Sequence, residues 1–222
     1  YTEAGQPVYF IGRHPDEEGQ PKYVKLPTHG ESHPEVSKMV KNTHIYGVDT
    51  IGGSPWCVCT EGITDAIAVL QQHIPCISPV TTTFRKADIE TVAAYLQGKL
   101  VYICNDSEAN GSGQKGAVST AEELTRLGIL VRIATLPTPA RIEKEDENPF
   151  LREHERDEFK SILNGAKWYH EVLLDDVPLN TGTDSLMEKL MPVIAACPVD
   201  NEVVQEDLAY EIVRRFKDMG VR

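Results

Sequence analysis

Between residues 56 and 137 the chain alternates short apolar runs with segments whose apolar positions recur every three to four residues. The runs Trp56–Thr60, Cys76–Pro79, Leu100–Cys104 and Ile129–Ala134 read as strands. Thr64–Gln72, Lys86–Leu96 and Ala117–Leu127 read as helices, the last stopped by Gly128. Strands alternating with single helices predict a largely parallel α/β sheet with right-handed crossovers. Ahead of this core the pattern is shorter. Val8–Ile11 and Tyr23–Leu26 read as strands around a hairpin-like turn at Pro15–Pro21, followed by a loop at Thr28–Pro34 and an extended piece at Ile45–Val48. After it, Pro137, Pro139 and the charged run Glu143–Glu147 mark a boundary. Helical spacing then resumes over Phe150–Leu163, Lys167–Leu174, Leu186–Ala196 and Glu202–Met219, with a break at Asp175–Thr183. Three parts are expected: a mixed α+β lobe over 1–55, the α/β core over 56–140, and a helical lobe over 141–222.

Composition narrows the class. At 222 residues, with 41% hydrophobic and 25% charged positions, the chain reads as a soluble globular protein. No apolar run approaches the roughly 18 residues of a membrane span, and no signal peptide is visible. The first residue is Tyr1, so a fragment of a longer protein is expected. The five cysteines form no C-x-x-C pair, which argues against a zinc ribbon. Cys57, Cys59 and Cys104 sit in apolar runs and read as buried small hydrophobes. An odd count without a framework suits a reducing cytoplasm. The net charge of −12 argues against strong non-specific grip on nucleic acid. It leaves two explanations for the acids, a solvated surface or a cluster of metal ligands.

Part of that set has the placement of ligands. Glu61 follows the first core strand and is trailed by Gly62, with Asp65 about one helical turn on; Asp106 and Glu108 end the third strand. Functional groups gather at the carboxyl ends of strands in an open parallel sheet. Alternate residues of an extended segment face one side, so Asp106 and Glu108 can share one metal region. Hard cations such as Mg²⁺ and Mn²⁺ prefer carboxylate oxygens and keep waters for substrate phosphates.

Glu61-Gly-Ile-Thr-Asp65-Ala followed by Asp106-Ser-Glu108-Ala-Asn-Gly111 resembles the Toprim module of DnaG-type primases, topoisomerases and some nucleases. Glu108 stands where that pattern has aspartate. The flanks resemble a primase RNA polymerase domain. Arg13, then Pro21-Lys22-Tyr23, then Lys41 before Ile45-Tyr46-Gly47 are similar to its amino-terminal lobe. Leu136-Pro137 and Lys144-Glu-Asp146-Glu-Asn148-Pro-Phe150 resemble its acidic segment, with Asn148 where an acid is usual. The resemblance implies a Toprim parallel-sheet core between an amino-terminal mixed lobe and a carboxyl-terminal helical lobe.

It further implies DNA-dependent synthesis of short RNA primers for DNA replication. Mg²⁺ or Mn²⁺ would be held by Glu61, Asp65, Asp106, Glu108 and Asp146. Arg13, Lys22 and Lys41 would contact nucleotide or nucleic acid, with Lys25 as a further groove charge. The implied partners are a single-stranded DNA template, ribonucleoside triphosphates and a replicative or fused helicase, in the cytoplasm and away from membranes. A Toprim nuclease and a degenerate interaction module, for which Glu108 and Asn148 argue, are the alternatives. A topoisomerase is the weakest reading, since no tyrosine has a recognisable nucleophile context. No G-K-S/T phosphate loop is present, so the chain is not expected to be an ATPase motor. His29 and His33, in a loop, read as surface.

Overall fold

The structure is a computed structural model that describes residues 10–13, 23–25, 34–35, 45–79, 83–105, 107–108, 111–137, 144–145, 150–152, 154, 156–179 and 183–217. The expected turn at Pro15–Pro21 and residues 28–33 of the expected loop, His29 and His33 among them, lie outside these residues. β1 (Ile11–Arg13) and β2 (Tyr23–Lys25) pair antiparallel, with Arg13 opposite Tyr23. The first strand therefore runs on to Arg13, beyond its expected end at Ile11. Ile45–Val48 does not form a strand. Tyr46 makes an isolated antiparallel bridge to Ser78, and Val48–Thr50 closes into a 3-10 turn. Gly47 joins the two with φ of 81°, and a Cβ there would collide with the Cys76 carbonyl oxygen, so glycine is required on both counts.

The core is a five-stranded sheet in the order β4-β3-β5-β7-β9. β3 (Trp56–Thr60), β4 (Cys76–Ile77), β5 (Leu100–Cys104) and β7 (Leu130–Ala134) run parallel. The connecting helices are α1 (Ile63–Gln71), α2 (Ile89–Leu96) and α3 (Ser112–Arg126). The alternation of each strand decides which side its residues bury. Cys57, Cys59, Val101, Ile103, Val131 and Ile133 face α2 and α3. Val58, Cys104 and Ala134 face α1 and Phe159. Burial first of all pushes the Cys57 thiol up to about 12, so it packs as an inert small hydrophobe. All five cysteines are buried and free.

Several local expectations change. The helix expected from Ala117 begins five residues earlier, at Ser112, out of Gly111 with φ of 69°. Lys167–Trp168, expected as the start of a helix, forms β9, antiparallel to β7, and α5 (Tyr169–Asp175) starts only after it. Phe150–Leu163 is not one helix. Helical turns at 150–152 precede α4 (Arg156–Asn164).

α6 (Thr183–Ala195) and α7 (Glu202–Phe216) are the last helices among the described residues and pack on α5 through Leu186, Leu190, Val193, Leu208 and Phe216. Asp175, at the end of α5, joins this lobe to the sheet edge. It accepts from Lys167 Nζ at 2.6 Å and from Arg215 at 3.1 Å. Among the described residues no helix is long and apolar enough to cross a membrane.

The Lys167 hydrogen bond, with the Lys167 and Arg215 charges, holds the Asp175 carboxyl below its ordinary value, against burial, which raises it. A depressed folded value means the contribution to stability is present at neutral pH. It fades as pH falls below the ordinary 3.8 and is gone once the folded value is passed. The pair is half-exposed, so the gain is on the order of 0.5 kcal/mol. Urea melts should show Asp175→Asn slightly less stable than the parent at pH 7 and level with it at the acid end.

Candidate metal and phosphate site

Neighbouring strand ends build one edge. In the register of the sheet Thr60 lies beside Cys104, and Cys59 beside Ile77. The next residues, Glu61 and Asn105, therefore leave the sheet at the same level on adjacent strands. Each exit is fixed by hydrogen bonds. Buried Thr60 donates its hydroxyl to the Gly62 carbonyl at 3.1 Å, and buried Ser78 donates to the Glu61 carbonyl at 3.0 Å. Glu61 is thus held at the edge by its backbone, and the residue is half-buried there.

Gly62 caps α1 in an extended conformation, φ −104° and ψ 158°. Asp65 stands in the first turn of the same helix and is only 6% exposed. A Cβ on Gly62 would run into Asp65 Oδ2, so the Asp65 carboxylate lies directly under the turn that carries Glu61. This gives the Glu-Gly pair a physical reason: only glycine lets the second carboxylate approach. Gly62→Ala is expected to push Asp65 out of place, and Mn²⁺, if held there, would bind about tenfold more weakly. Calorimetric titration with Mn²⁺ checks this, with the melting temperature as control for the fold.

On the neighbouring strand β5 ends at Cys104, the end expected of it. Asn105 is 2% exposed and donates from Nδ2 to the Gly113 carbonyl at 3.2 Å, which ties the strand exit to the first turn of α3. Two residues on, β6 (Ser107–Glu108) pairs antiparallel with β8 (Lys144–Glu145), with Glu108 opposite Lys144. That ladder lays Lys144–Glu145, from far along the chain, against the backbone of Ser107–Glu108.

Of the expected site residues, the structure seats Asp65 under the turn that follows Glu61 and places the Glu108 backbone in β6. Asp106, Asp146, Lys22 and Lys41 lie outside the described residues. Arg13 closes β1, and Lys25 pairs with Ile11 at the other end of that ladder. Among the described residues no three carboxylate, imidazole or thiolate side chains converge on one point. Sequence reasoning missed Thr60, Ser78 and Asn105. The only signal was a polar residue closing an apolar run, which solvated strand ends show equally.

Residues 57–157 match the Toprim domain family. Over nearly its whole length the chain also superposes on solved primase structures. With the zinc-binding and RNA polymerase domains of the Aquifex aeolicus primase the TM-score is 0.66 at 21% identity, covering 97% of this chain and 50% of that one. With the E. coli primase catalytic core it is 0.66 at 20% identity, covering 99% and 68%. With a DnaG primase catalytic domain bound to single-stranded DNA it is 0.66 at 18% identity, covering 94% and 67%. At these identities the likeness is one of fold: an α/β chain with a mostly parallel five-stranded sheet, arranged as in the DnaG catalytic core. The chain spans half the length of the first of these proteins and about two thirds of the others. No curated protein matches it by sequence.

Proposed function

We propose that this chain, which carries a Toprim domain within the fold of the DnaG catalytic core, makes short RNA primers on a DNA template by metal-dependent nucleotidyl transfer. The observation that carries the reading is the shared sheet edge. Glu61, with Asp65 beneath its turn, and Asn105 leave adjacent strands at one level. The match beyond residues 57–157, through the lobes on both sides, favours a primase over other Toprim enzymes.

The donor set suits a hard divalent cation, since each candidate ligand offers carboxylate oxygen. Glu61, Asp65, Asp106, Glu108 and Asp146 would hold Mg²⁺ or Mn²⁺. Bound there, such ions would lower the pKa of the attacking 3′-hydroxyl and neutralise the triphosphate. The 3′-oxygen bonds to the α-phosphorus, the bond to the β-phosphate bridge breaks, pyrophosphate leaves, and the hydroxyl proton passes to solvent. Thr60 and Ser78 hold the backbone on either side of Glu61, and Asn105 ties the neighbouring strand exit to α3, which supports a centre set before substrate arrives. Arg13, Lys22 and Lys41 would contact the triphosphate or the template backbone. The partners are then ribonucleoside triphosphates, single-stranded DNA and a replicative or fused helicase that delivers it. The cytoplasm suits the five free cysteines.

Single-stranded template, ribonucleotides and Mn²⁺ should yield short RNA that disappears on chelation. Cleavage of the template without RNA would replace this reading with a Toprim nuclease. Neither chemistry nor metal binding would leave an interaction module.

A further inference from the structure

Away from the carboxylate edge, one face of the sheet carries a row of side chains that the proposed reaction does not use. Val58, Tyr102, Arg132 and Trp168 are successive partners across β3, β5, β7 and β9, so all four point to the same side. Trp56 precedes them on β3 and meets Tyr102 edge to face, ring centroids 5.8 Å apart. The row is half-buried at each of these aromatic and cationic positions, and Leu130 beside it is 37% exposed.

Two cavities lie along the row. One of about 190 Å³ is lined by Trp56, Tyr102 and Lys160. The other, of about 330 Å³, is lined by Arg132, Trp168, His170 and Asp207. Asn164 borders the first and its chain neighbour Gly165 the second, so the two cavities adjoin as an interrupted groove along the row.

Arg132 is the unexplained group. Its guanidinium sits 4.3 Å from the centre of the Trp168 ring, yet it makes no hydrogen bond or ion pair among the described residues, and its Nε is buried without a partner. A partly desolvated cation with unfilled donors is costly unless something anionic meets it. Its field is felt nearby. Burial, and then the Arg132 charge, hold the His170 imidazole down at about 4, so a neutral, buried ring backs Trp168 from inside, centroids 6.1 Å apart and 14° from parallel.

We propose that this groove binds single-stranded nucleic acid, with bases stacked on the half-buried Trp56, Tyr102 and Trp168 rings and a backbone phosphate on Arg132. Flat rings two strands apart, about 10 Å, with a free guanidinium between them are the elements of a sequence-tolerant stacking platform. A peptide added as a strand along β9 is disfavoured, because the Trp168 N–H is already donated to Glu171 at 2.6 Å. Of the acids lining the wider cavity, Glu171 is engaged in this way and Glu211 is bound by Arg214. Asp207 has no such partner among the described residues and opposes an incoming phosphate.

Both tryptophans of the chain lie in this groove, so its own fluorescence reports on occupancy. Oligodeoxythymidine should quench the full chain saturably and less so as salt rises. Arg132→Gln and Trp168→Leu should each weaken binding about tenfold. Asp207→Asn should tighten it, and Glu61→Gln should leave it unchanged. The groove is not a strand-binding site if no quenching occurs, or if Arg132→Gln and Asp207→Asn both bind as the parent does. Deoxythymidine monophosphate or polyglutamate quenching as well as the oligomer would also overturn the proposal, in favour of a nucleotide or a general anion pocket. Should Trp168→Leu fail to fold, Arg132→Gln and the exposed Asp207→Asn still decide. Primer synthesis is scored separately, so loss of either reading is recognised without the other.

Discussion

Glu61→Gln is expected to lower primer synthesis by about a thousandfold while the melting temperature stays within about 1 °C of the parent. The side chain keeps its size and its hydrogen-bonding capacity and loses only its charge. Its backbone anchor, the Ser78 hydroxyl on the Glu61 carbonyl, is untouched by the exchange. What goes is one full negative charge at the edge where cations and triphosphate would meet, in a place pre-set by buried Thr60 and Ser78. Loss of one pre-organised electrostatic contact in a transition state costs about two to three powers of ten. A metal ligand stands at the upper end of that range, because substrate and cation positioning fail together. Single-turnover primer synthesis at saturating Mn²⁺, beside a thermal melt, measures both numbers. A loss below tenfold with intact metal binding would remove Glu61 from the centre of the reaction.

The second large effect is on stability. Phe159→Ala should cost about 3–5 kcal/mol. Phe159 is fully buried and meets the ring of Phe150 with centroids 6.3 Å apart. It belongs to the cluster that joins α4 to α1 and to the sheet face carrying Val58 and Cys104. The cavity left behind is walled by strands held in ladders on both sides, which cannot collapse into it. For a chain of this size about 4 kcal/mol corresponds to a fall of roughly 10 °C in melting temperature. Urea unfolding gives the free energy. A loss below about 1 kcal/mol would mean that α4 is not seated on the sheet as described.

The strands of the core were readable because they are buried on both faces. Trp56–Thr60 and Leu100–Cys104 are continuous apolar runs and have the bounds expected of them. Helix α1 was readable within a residue at each end, since its apolar positions repeat with the helical period. What failed did so where local preference is overruled by distant pairing. Lys167–Trp168 has no strand signature of its own; it becomes β9 by pairing with Arg132 and Ile133 on β7. The ladder between Ser107–Glu108 and Lys144–Glu145 joins two short polar pairs from segments far apart in the chain, and no periodicity marks it. The early start of α3 was hidden by Gly113 and Gly116, which depress helical propensity. Within the site, Glu61 and Asp65 were legible as a motif. The reason that glycine stands between them, the closeness of Asp65 Oδ2, needed coordinates.

The antiparallel bridge at Tyr46 has a mechanical meaning. Tyr46 and Ser78 exchange two backbone hydrogen bonds, at 2.8 and 3.0 Å, and the hydroxyl of the same Ser78 holds the Glu61 carbonyl. The segment entering from the amino-terminal side is therefore in series with the turn that carries the central carboxylate. Pulling on it would load that turn through a single serine. Ser78 is a coupler as well as a buttress, and Ser78→Ala would cut the linkage at one hydroxyl while leaving both backbone bonds in place.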